Sequence, residues 1–337
     1  MNSLLIMGAG SVGCYLGGLL AATGRTVHFV GRPRVLDGLR KHGLTTSDLE
    51  GHRLHIPASG LNLHQALPAG LRPKLTLLCV KSGATIDAAQ ALQQALPAGS
   101  LVLSMQNGIG NAERAAAAAP ALQWRAGMVP FNIAEQSPGH YHRGTTGALM
   151  VQGALAETAL AGLQTAFLAQ GIKLQLRADL LGAQWGKLLL NLNNPVNALS
   201  GLPLRDELLE RGYRRCFAAL QREALDLLDA AGMQALPMTP LPHRWLVHLL
   251  GLPTPIFKLL AASMLKIDAK ASSSMADDLA RGRVTEIDAL CGEVIRLGQR
   301  VGRPAPLNSR MQEMVQAWPQ YPQRIKPGEL AQALGLD

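Results

Sequence analysis

The sequence predicts a two-part fold: an α/β N-terminal domain built on a parallel sheet, followed by an all-α C-terminal domain. Three observations predict it. Apolar, strand-like runs alternate with helical patterns through the first half of the 337 residues. The first of these runs breaks into a glycine-rich turn that opens a helix, and beyond about residue 178 long amphipathic patterns follow one another without strand segments. The domains are therefore 1–178 and 179–337, a division suited to a chain too long for one small core.

The run Leu4 to Met7 ends at Gly8-Ala9-Gly10-Ser11-Val12-Gly13. Gly8 permits a sharp turn, Gly10 lets the backbone approach a pyrophosphate, and Gly13 lets the new helix lie close to the sheet. That helix, running to a stop at Gly24, would aim its N-terminal amides and dipole at phosphates, and 26–30 reads as the next strand. A glycine triplet alone could be a turn with no ligand. Strand, turn, helix and strand in this order make 8–13 a Rossmann-type dinucleotide cradle. An NAD site places Asp or Glu about 20 residues beyond the glycines, whereas this chain has Gly31-Arg32-Pro33-Arg34. A guanidinium fork suits a 2′-phosphate, so Arg32 predicts NADP(H). The competing reading of Arg32 is a solvated loop arginine.

Two further apolar runs, 75–80 and 101–105, end at Lys81 and at Gln106-Asn107-Gly108. In an open parallel sheet, ligands bind outside the carboxyl ends of the strands. Lys81 and Asn107 share that location with the glycine turn and Arg32, which favours cofactor binding over a solvated strand end or an Asn-Gly turn. Residues 149–152 and 172–176 supply later strands around a helix at 157–170, and Asp179 can cap the next helix. In the second half, 207–231 reads as one long helix ending at Gly232 and 275–301 as one or two more, with a loop and short helix over 236–255. The apolar stretch 245–265 is interrupted by Pro253, Pro255 and Lys258, so it predicts two short buried helices and no membrane span.

The segment Trp185-Gly186-Lys187 to Asn193-Asn194-Pro195 reads as one helix. Lys187, Asn191 and Asn194 fall at i, i+4 and i+7 on one face, with leucines opposite. A lysine and two carboxamides among such residues line a cleft or meet partners; an exposed polar stripe is the other reading. Farther on, Ser272-Ser273-Ser274-Met275 opens a helix, and Thr285-Glu286-Ile287-Asp288 continues or restarts one.

Composition limits the function classes. Hydrophobic residues make 48% and charged residues 16% of the chain, which excludes a largely disordered protein. The net charge is +9, but the lysines and arginines are scattered, with no nucleic-acid motif. They fit an anionic cofactor and an anionic substrate better. No basic and apolar leader precedes the first strand, so a cytoplasmic protein is expected. Cys14, Cys79, Cys216 and Cys291 are widely spaced and read as reduced core thiols. No zinc motif is present, and His140-x-His142 reads as a surface turn in a Pro-Gly loop.

Together these motifs resemble the ketopantoate reductases, the 2-dehydropantoate 2-reductases. The likeness spans nearly the whole chain: the glycine turn with Arg32, Val80-Lys81, Gln106-Asn107-Gly108, the Lys187 and Asn191 helix, and Ser274-Met275 followed by Thr285-Glu286-Ile287-Asp288. The resemblance implies an NADPH-dependent reduction of a 2-oxo acid, ketopantoate to pantoate in pantothenate biosynthesis, on a Rossmann domain joined to a helical domain. It maps the catalytic pair onto Lys187 and Glu286, with Lys187 as general acid. It maps cofactor contacts onto Gly8, Gly10, Gly13, Arg32, Lys81 and Asn107, and substrate contacts onto Asn107, Asn191, Asn194 and Ser274. Glu286 would hold the lysine or bind a substrate hydroxyl, and Ser274 would bind the carboxylate. Helical second domains of this kind often pair, which leaves a homodimer open.

Some positions depart from that pattern. Ala271 stands where pantoate-forming members carry Asn, Asn191 and Asn194 are one residue closer together, 236–265 is longer, and Phe131-Asn132 replaces small polar residues. These departures motivate a second reading, a reductase of a different 2-oxo acid on the same architecture. A third, a non-catalytic NADP(H)-binding sensor, is disfavoured because binding alone needs neither Lys187 nor Glu286.

Overall fold

The structure is a computed structural model that describes residues 3–154, 157–262, 264–265, 271–320 and 322–336. The chain divides into two compact units, Met1–Leu180 and Leu181–Asp337.

The first unit begins with β1 (Ser3–Met7), α1 (Ser11–Ala21), β2 (Thr26–Val30) and α2 (Pro33–His42). Short strands β3 (Leu44–Asp48), β4 (Arg53–Ile56) and β5 (Asn62–His64) follow. Then come β6 (Leu75–Leu78), α3 (Thr85–Ala95), β7 (Leu101–Ser104), α4 (Asn111–Ala118) and β8 (Gln123–Met128). The unit closes with β9 (Ile133–Ser137), β10 (His140–Arg143), β11 (Leu149–Gln152), α5 (Thr158–Leu168) and β12 (Leu174–Arg177). Eight strands form one sheet in the order β12-β11-β8-β7-β6-β1-β2-β5. It is parallel except where β11 meets β8 antiparallel. Its central strands are the continuous apolar runs of the sequence, and Leu5, Ile6, Phe29, Leu77, Leu78 and Leu103 are almost wholly buried, as a sheet covered on both faces requires.

The remaining four strands form a second sheet, β4-β3-β10-β9, which corrects the reading of His140 and His142 as a surface turn. They lie within β10, and each ring bonds the Ser47 hydroxyl at 2.8 Å. The turn is the preceding Pro138-Gly139 pair, with Gly139 at φ +79°, as a two-residue hairpin requires. The intervening residues of β10 point inward. Tyr141 is buried, and the buried Arg143 donates from Nε to the Tyr15 hydroxyl at 3.1 Å and from Nη2 to Asp48 Oδ2 at 3.0 Å. Asp48, Glu50 and His52 lie close enough to share a cation, and the Arg143 guanidinium, bonded to both carboxylates, is that cation.

The described residues of the second unit form helices joined by loops, with no strand among them. Its helices are α6 (Leu181–Asn191), α7 (Asn193–Ser200), α8 (Leu204–Leu209), α9 (Arg211–Ala230), α10 (His243–Gly251) and α11 (Thr254–Leu260), then α12 (Ser274–Ala280), α13 (Cys291–Arg300), α14 (Pro306–Ala317) and α15 (Pro327–Ala333). The twenty-residue α9 is the hub against which most of the others pack. Its Glu223 accepts from the amides of Leu307 and Asn308 at 2.8 and 2.9 Å, capping α14.

Three expectations for this half are corrected. The long helix over 207–231 is two, because Glu210 adopts an extended backbone. The carbonyl of Leu208 accepts from the buried Arg214 guanidinium at 2.8 Å and that of Leu209 from the Thr254 hydroxyl at 3.2 Å, so tertiary donors replace helical amides. The Lys187 helix also divides, after Asn191. Pro195 has no N–H to return to the Asn191 carbonyl, and its ring crowds that turn. Thirdly, the apolar stretch 245–265 is not fully buried: Trp245 is 66% and Leu259 78% exposed, and only Phe257 of α11 is buried. No helix among the described residues is long and apolar enough to cross a membrane. All four cysteines are free, and burial pushes the Cys14 thiol up to about 12.

Candidate active site

In the first unit the predicted cofactor residues gather at the carboxyl ends of β1, β2, β6 and β7. Gly8 and Ala9 donate their amides to the Val30 carbonyl at 3.0 and 2.8 Å, tying the glycine turn to the end of β2. Gly8 has φ +110°, and a Cβ there would lie 2.6 Å from the Val80 nitrogen, so the turn also abuts the end of β6. At Gly13 a Cβ would lie 2.1 Å from the Gly8 carbonyl oxygen, which shows that this glycine serves helix-to-strand packing. Gly10 differs. It is the N-cap of α1 with φ −93°, and a Cβ there would meet no protein atom within 4 Å. Neither conformation nor packing demands glycine at position 10. What a side chain would fill is open space before the free amides of Ser11, Val12 and the first turn, which fits a pyrophosphate.

Arg32 is the N-cap of α2, exposed and, among the described residues, with no hydrogen bond or ion pair from its guanidinium. It meets the requirement for an anion-reading group beside the second strand. Lys81 precedes a 3-10 turn, Ser82–Ala84, and is exposed. Asn107 is held by its backbone: its carbonyl accepts from Asn111 Nδ2 at 2.7 Å and from the Ser82 hydroxyl at 3.2 Å. Beneath it lies a polar network that the sequence reading missed. Gln106 Nε2 donates to the Val80 carbonyl at 3.0 Å and to Thr85 Oγ1 at 2.8 Å, while its Oε1 accepts from Ser104 Oγ at 2.8 Å. These buried bonds fix the ends of β6 and β7 together and so set where Lys81 and Asn107 start. The one sequence signal was Asn111, four residues after Asn107.

In the second unit α6 is placed by a close backbone approach. A Cβ on Gly186 would lie 2.0 Å from the Leu236 carbonyl oxygen, and Leu236 donates its amide to the Gly182 carbonyl at 2.8 Å. The Leu236 strap thereby fixes the rotation of α6 and the direction of Lys187. Burial of the Lys187 ammonium lowers its pKa to about 8, against the opposing negative charge of Glu286. Lys187 and Glu286 are therefore brought within electrostatic reach, although 99 residues apart in sequence. The side chains of Asn191 and Asn194 are half-buried, and their carboxamides make no hydrogen bond among the described residues.

The two neighbouring serines do different work. Ser273, not Ser274, is the buried one. It caps α12 by accepting from the Ala276 amide at 3.1 Å, donates its hydroxyl to the Asn194 carbonyl at 3.2 Å, and donates its own amide to Asn197 Oδ1 at 2.9 Å. Those bonds dock the start of α12 on α7. Ser274 is the exposed first residue of that helix, with its hydroxyl unpaired among the described residues. The sequence cue for Ser273 was the N-cap position itself.

The first unit thus carries a dinucleotide cradle with an exposed arginine, and the second carries a desolvated lysine near a carboxylate, with two carboxamides unpaired among the described residues. That is the equipment of a nicotinamide-dependent oxidoreductase. Comparison with known proteins gives the family. Residues 4–155 match the model of the ketopantoate reductase PanE/ApbA family and residues 179–318 that of its C-terminal domain, so this chain belongs to the ketopantoate reductase PanE/ApbA family. It is 27% identical over 332 residues to a 2-dehydropantoate 2-reductase of Pyrococcus horikoshii, covering 93% of this chain and 96% of that one. It is 30% identical to the crystal structure of a PanE/ApbA family ketopantoate reductase from Ralstonia eutropha JMP134, with TM-score 0.76 over 93% of this chain and 97% of that one. A D-mandelate dehydrogenase solved with NADH and anilino(oxo)acetate shares the fold, with TM-score 0.76 at 19% identity over 94% of this chain and 97% of that one.

Proposed function

We propose that the protein reduces ketopantoate to pantoate with NADPH, Lys187 acting as the general acid. The observation that carries this reading is the lysine. Burial lowers its pKa to about 8, where an ammonium is still charged near neutral pH yet ready to release its proton. Bound NADPH would supply a hydride to the ketone carbon. As charge builds on the carbonyl oxygen, the Lys187 ammonium stabilises and then protonates it. Glu286 keeps the ammonium from losing its proton too early by its charge. Asn191 and Asn194 offer carboxamides to the substrate's polar groups, and Ser274 offers a hydroxyl to its carboxylate, with Asn107 contributing beside the cofactor. Arg32, exposed and without a partner among the described residues, reads the 2′-phosphate and sets the preference for NADPH.

A specific residue supports a second reading. Ala271 presents a methyl group three residues before Ser274, where a polar contact to ketopantoate is expected. A more apolar 2-oxo acid would suit it. Oxidation of NADPH by the pure protein across a panel of 2-oxo acids, ketopantoate included, tests both readings. The highest kcat/KM on ketopantoate is expected, a clear preference for an apolar 2-oxo acid would install the second reading, and no turnover despite NADPH binding would leave a sensor.

A further inference from the structure

Between the Lys187 helix and α9 lies a buried polar pair that plays no part in the scheme above. Asn193, first residue of α7, donates from Nδ2 to Glu207 Oε2 at 2.9 Å. Glu207 is 0% and Asn193 7% exposed. The two atoms left over, Glu207 Oε1 and Asn193 Oδ1, are both buried acceptors without a partner among the described residues. Two orphaned acceptors on two side chains already joined by one hydrogen bond are what a single added proton would satisfy. An unmet buried acceptor costs about 1–3 kcal/mol, and a buried unpaired carboxylate costs more.

We propose that Glu207 is held as the neutral acid and closes a two-bond ring with the Asn193 carboxamide, acting as a positioning residue for Lys187, Asn191 and Asn194. The proton on Oε1 is donated to Asn193 Oδ1 while Nδ2 donates to Oε2, so all four polar atoms are matched. The ring clamps α8 to the joint at Leu192, where α6 gives way to α7 and where Pro195 has removed a helical hydrogen bond. Lys187 and Asn191 lie on one side of that joint and Asn194 on the other.

The charged and titratable groups around Glu207 agree with a neutral acid. The cation that acts on Glu207, Arg214, is directed to the carbonyls of Leu208, Leu250 and Leu252 and to the Thr254 hydroxyl, and its Cζ lies 4.2 Å from the Phe257 ring centroid. Tyr213 and Cys216, also on α9, are neutral at physiological pH, and both are pushed upward mainly by burial. Glu210 adds a negative charge near Arg214. Burial, opposed by the Asn193 bond and the Arg214 charge, pushes Glu207 up to about 8.

This inference rests on the reading of Lys187 as the proton donor, and its test separates the two. Glu207→Gln presents an amide that can make the same two bonds without titrating, whereas Glu207→Ala removes the ring. Two quantities are measured on each protein and on the parent: urea-unfolding stability from pH 5 to 9, and kcat with KM for NADPH and for the 2-oxo acid. A group whose folded pKa is raised gives stability that is lost as pH rises from its unfolded value of about 4.5 toward about 8. The parent should therefore lose stability relative to Glu207→Gln across that window. Parallel curves would overturn the protonated ring. Glu207→Gln should keep kcat within about twofold of the parent, while Glu207→Ala should lower kcat about 10- to 100-fold with KM for NADPH unchanged. If Glu207→Ala keeps full kcat, the positioning role is wrong. Should Glu207→Ala fail to fold, the stability curves and kcat of Glu207→Gln still decide, since a charged Glu207 would make the amide a poor substitute. Full activity in Lys187→Ala would instead refute the lysine reading and leave the stability arm standing.

Discussion

Glu286 lies within electrostatic reach of the buried Lys187 ammonium, and the two influences on that lysine oppose each other. Burial lowers its pKa, and the Glu286 charge raises it part of the way back, leaving it at about 8. A general acid in reduction must be protonated, so kcat for 2-oxo acid reduction should be constant below about pH 8 and fall as pH rises through it. Removing the carboxylate charge in Glu286→Gln takes away the raising influence, so the falling limb should move to lower pH. Initial rates from pH 5.5 to 10 on both proteins check this; a limb that stays in place would remove Glu286 from the control of Lys187.

Lys187→Ala should lower kcat by about 100- to 10,000-fold, the usual cost of losing a general acid. NADPH affinity should barely change, because the ammonium acts on charge that develops only in the transition state and the glycine cradle lies in the other unit. Rates and NADPH titrations on one folded preparation distinguish this from collapse of α6. Loss of cofactor binding would make Lys187 a binding residue.

The glycines at positions 10 and 13 should fail in different ways. Gly10→Ala meets no protein atom and needs no unusual φ, so unfolding stability should stay near the parent while NADPH binding weakens by about tenfold or more, roughly 1.4 kcal/mol. Gly13→Ala drives a methyl against the Gly8 carbonyl and should cost about 1–3 kcal/mol of stability. Urea unfolding and fluorescence titration of NADPH would separate them. Equal destabilisation would mean that Gly10 is packed like Gly13.

How far these features were legible depended on whether local pattern or tertiary contact decided them. The strands Thr26–Val30 and Leu149–Gln152 match their expected bounds, because local pattern marks them: short β-rich runs whose burial alternates along the strand. The small second sheet was not legible. Its inward positions hold Arg143 and Asp48, whose charges satisfy each other, so the usual apolar alternation is missing. The break at Glu210 and the work of Ser273 and Glu207 depend on partners 6 to 79 residues away, Arg214 to Leu208 the nearest of these and Ser273 to Asn194 the farthest. No window of sequence contains them. The different work of Gly10 and Gly13 was legible in the glycine spacing, and the structure adds that a Cβ at Gly13 would strike the Gly8 carbonyl while one at Gly10 would meet open space.

Arg32→Ala should weaken NADPH binding by about 1.5–3 kcal/mol, the range for a charge-assisted bond, and leave NADH almost unchanged. The arginine makes no side-chain bond among the described residues that its loss would break, so the change should be silent in unfolding stability. Titrations of both cofactors against both proteins check it. An equal loss for NADH would show that Arg32 meets some part of the dinucleotide other than the 2′-phosphate.

Position 271 decides between the two substrate readings. Its backbone is fixed: the Ala271 carbonyl accepts from the Leu204 amide at 2.8 Å, so a larger side chain would start from the same place as the methyl. Two residues on, Ser273 anchors α12 to Asn194 and Asn197, which ties position 271 to the same region as the Asn191 and Asn194 carboxamides. If ketopantoate is the substrate, Ala271→Asn adds a carboxamide where a polar group can be met, and KM for ketopantoate should fall or stay level with kcat maintained. If the natural substrate is an apolar 2-oxo acid, the same change buries an amide without a partner at a cost of about 1–3 kcal/mol, raising KM roughly 5- to 150-fold for that acid. Steady-state kinetics of both proteins on ketopantoate and on 2-oxo acids lacking its hydroxyl give opposite signs for the two cases. An unchanged KM on every substrate would place residue 271 outside the pocket and remove Ala271 as an argument about the substrate.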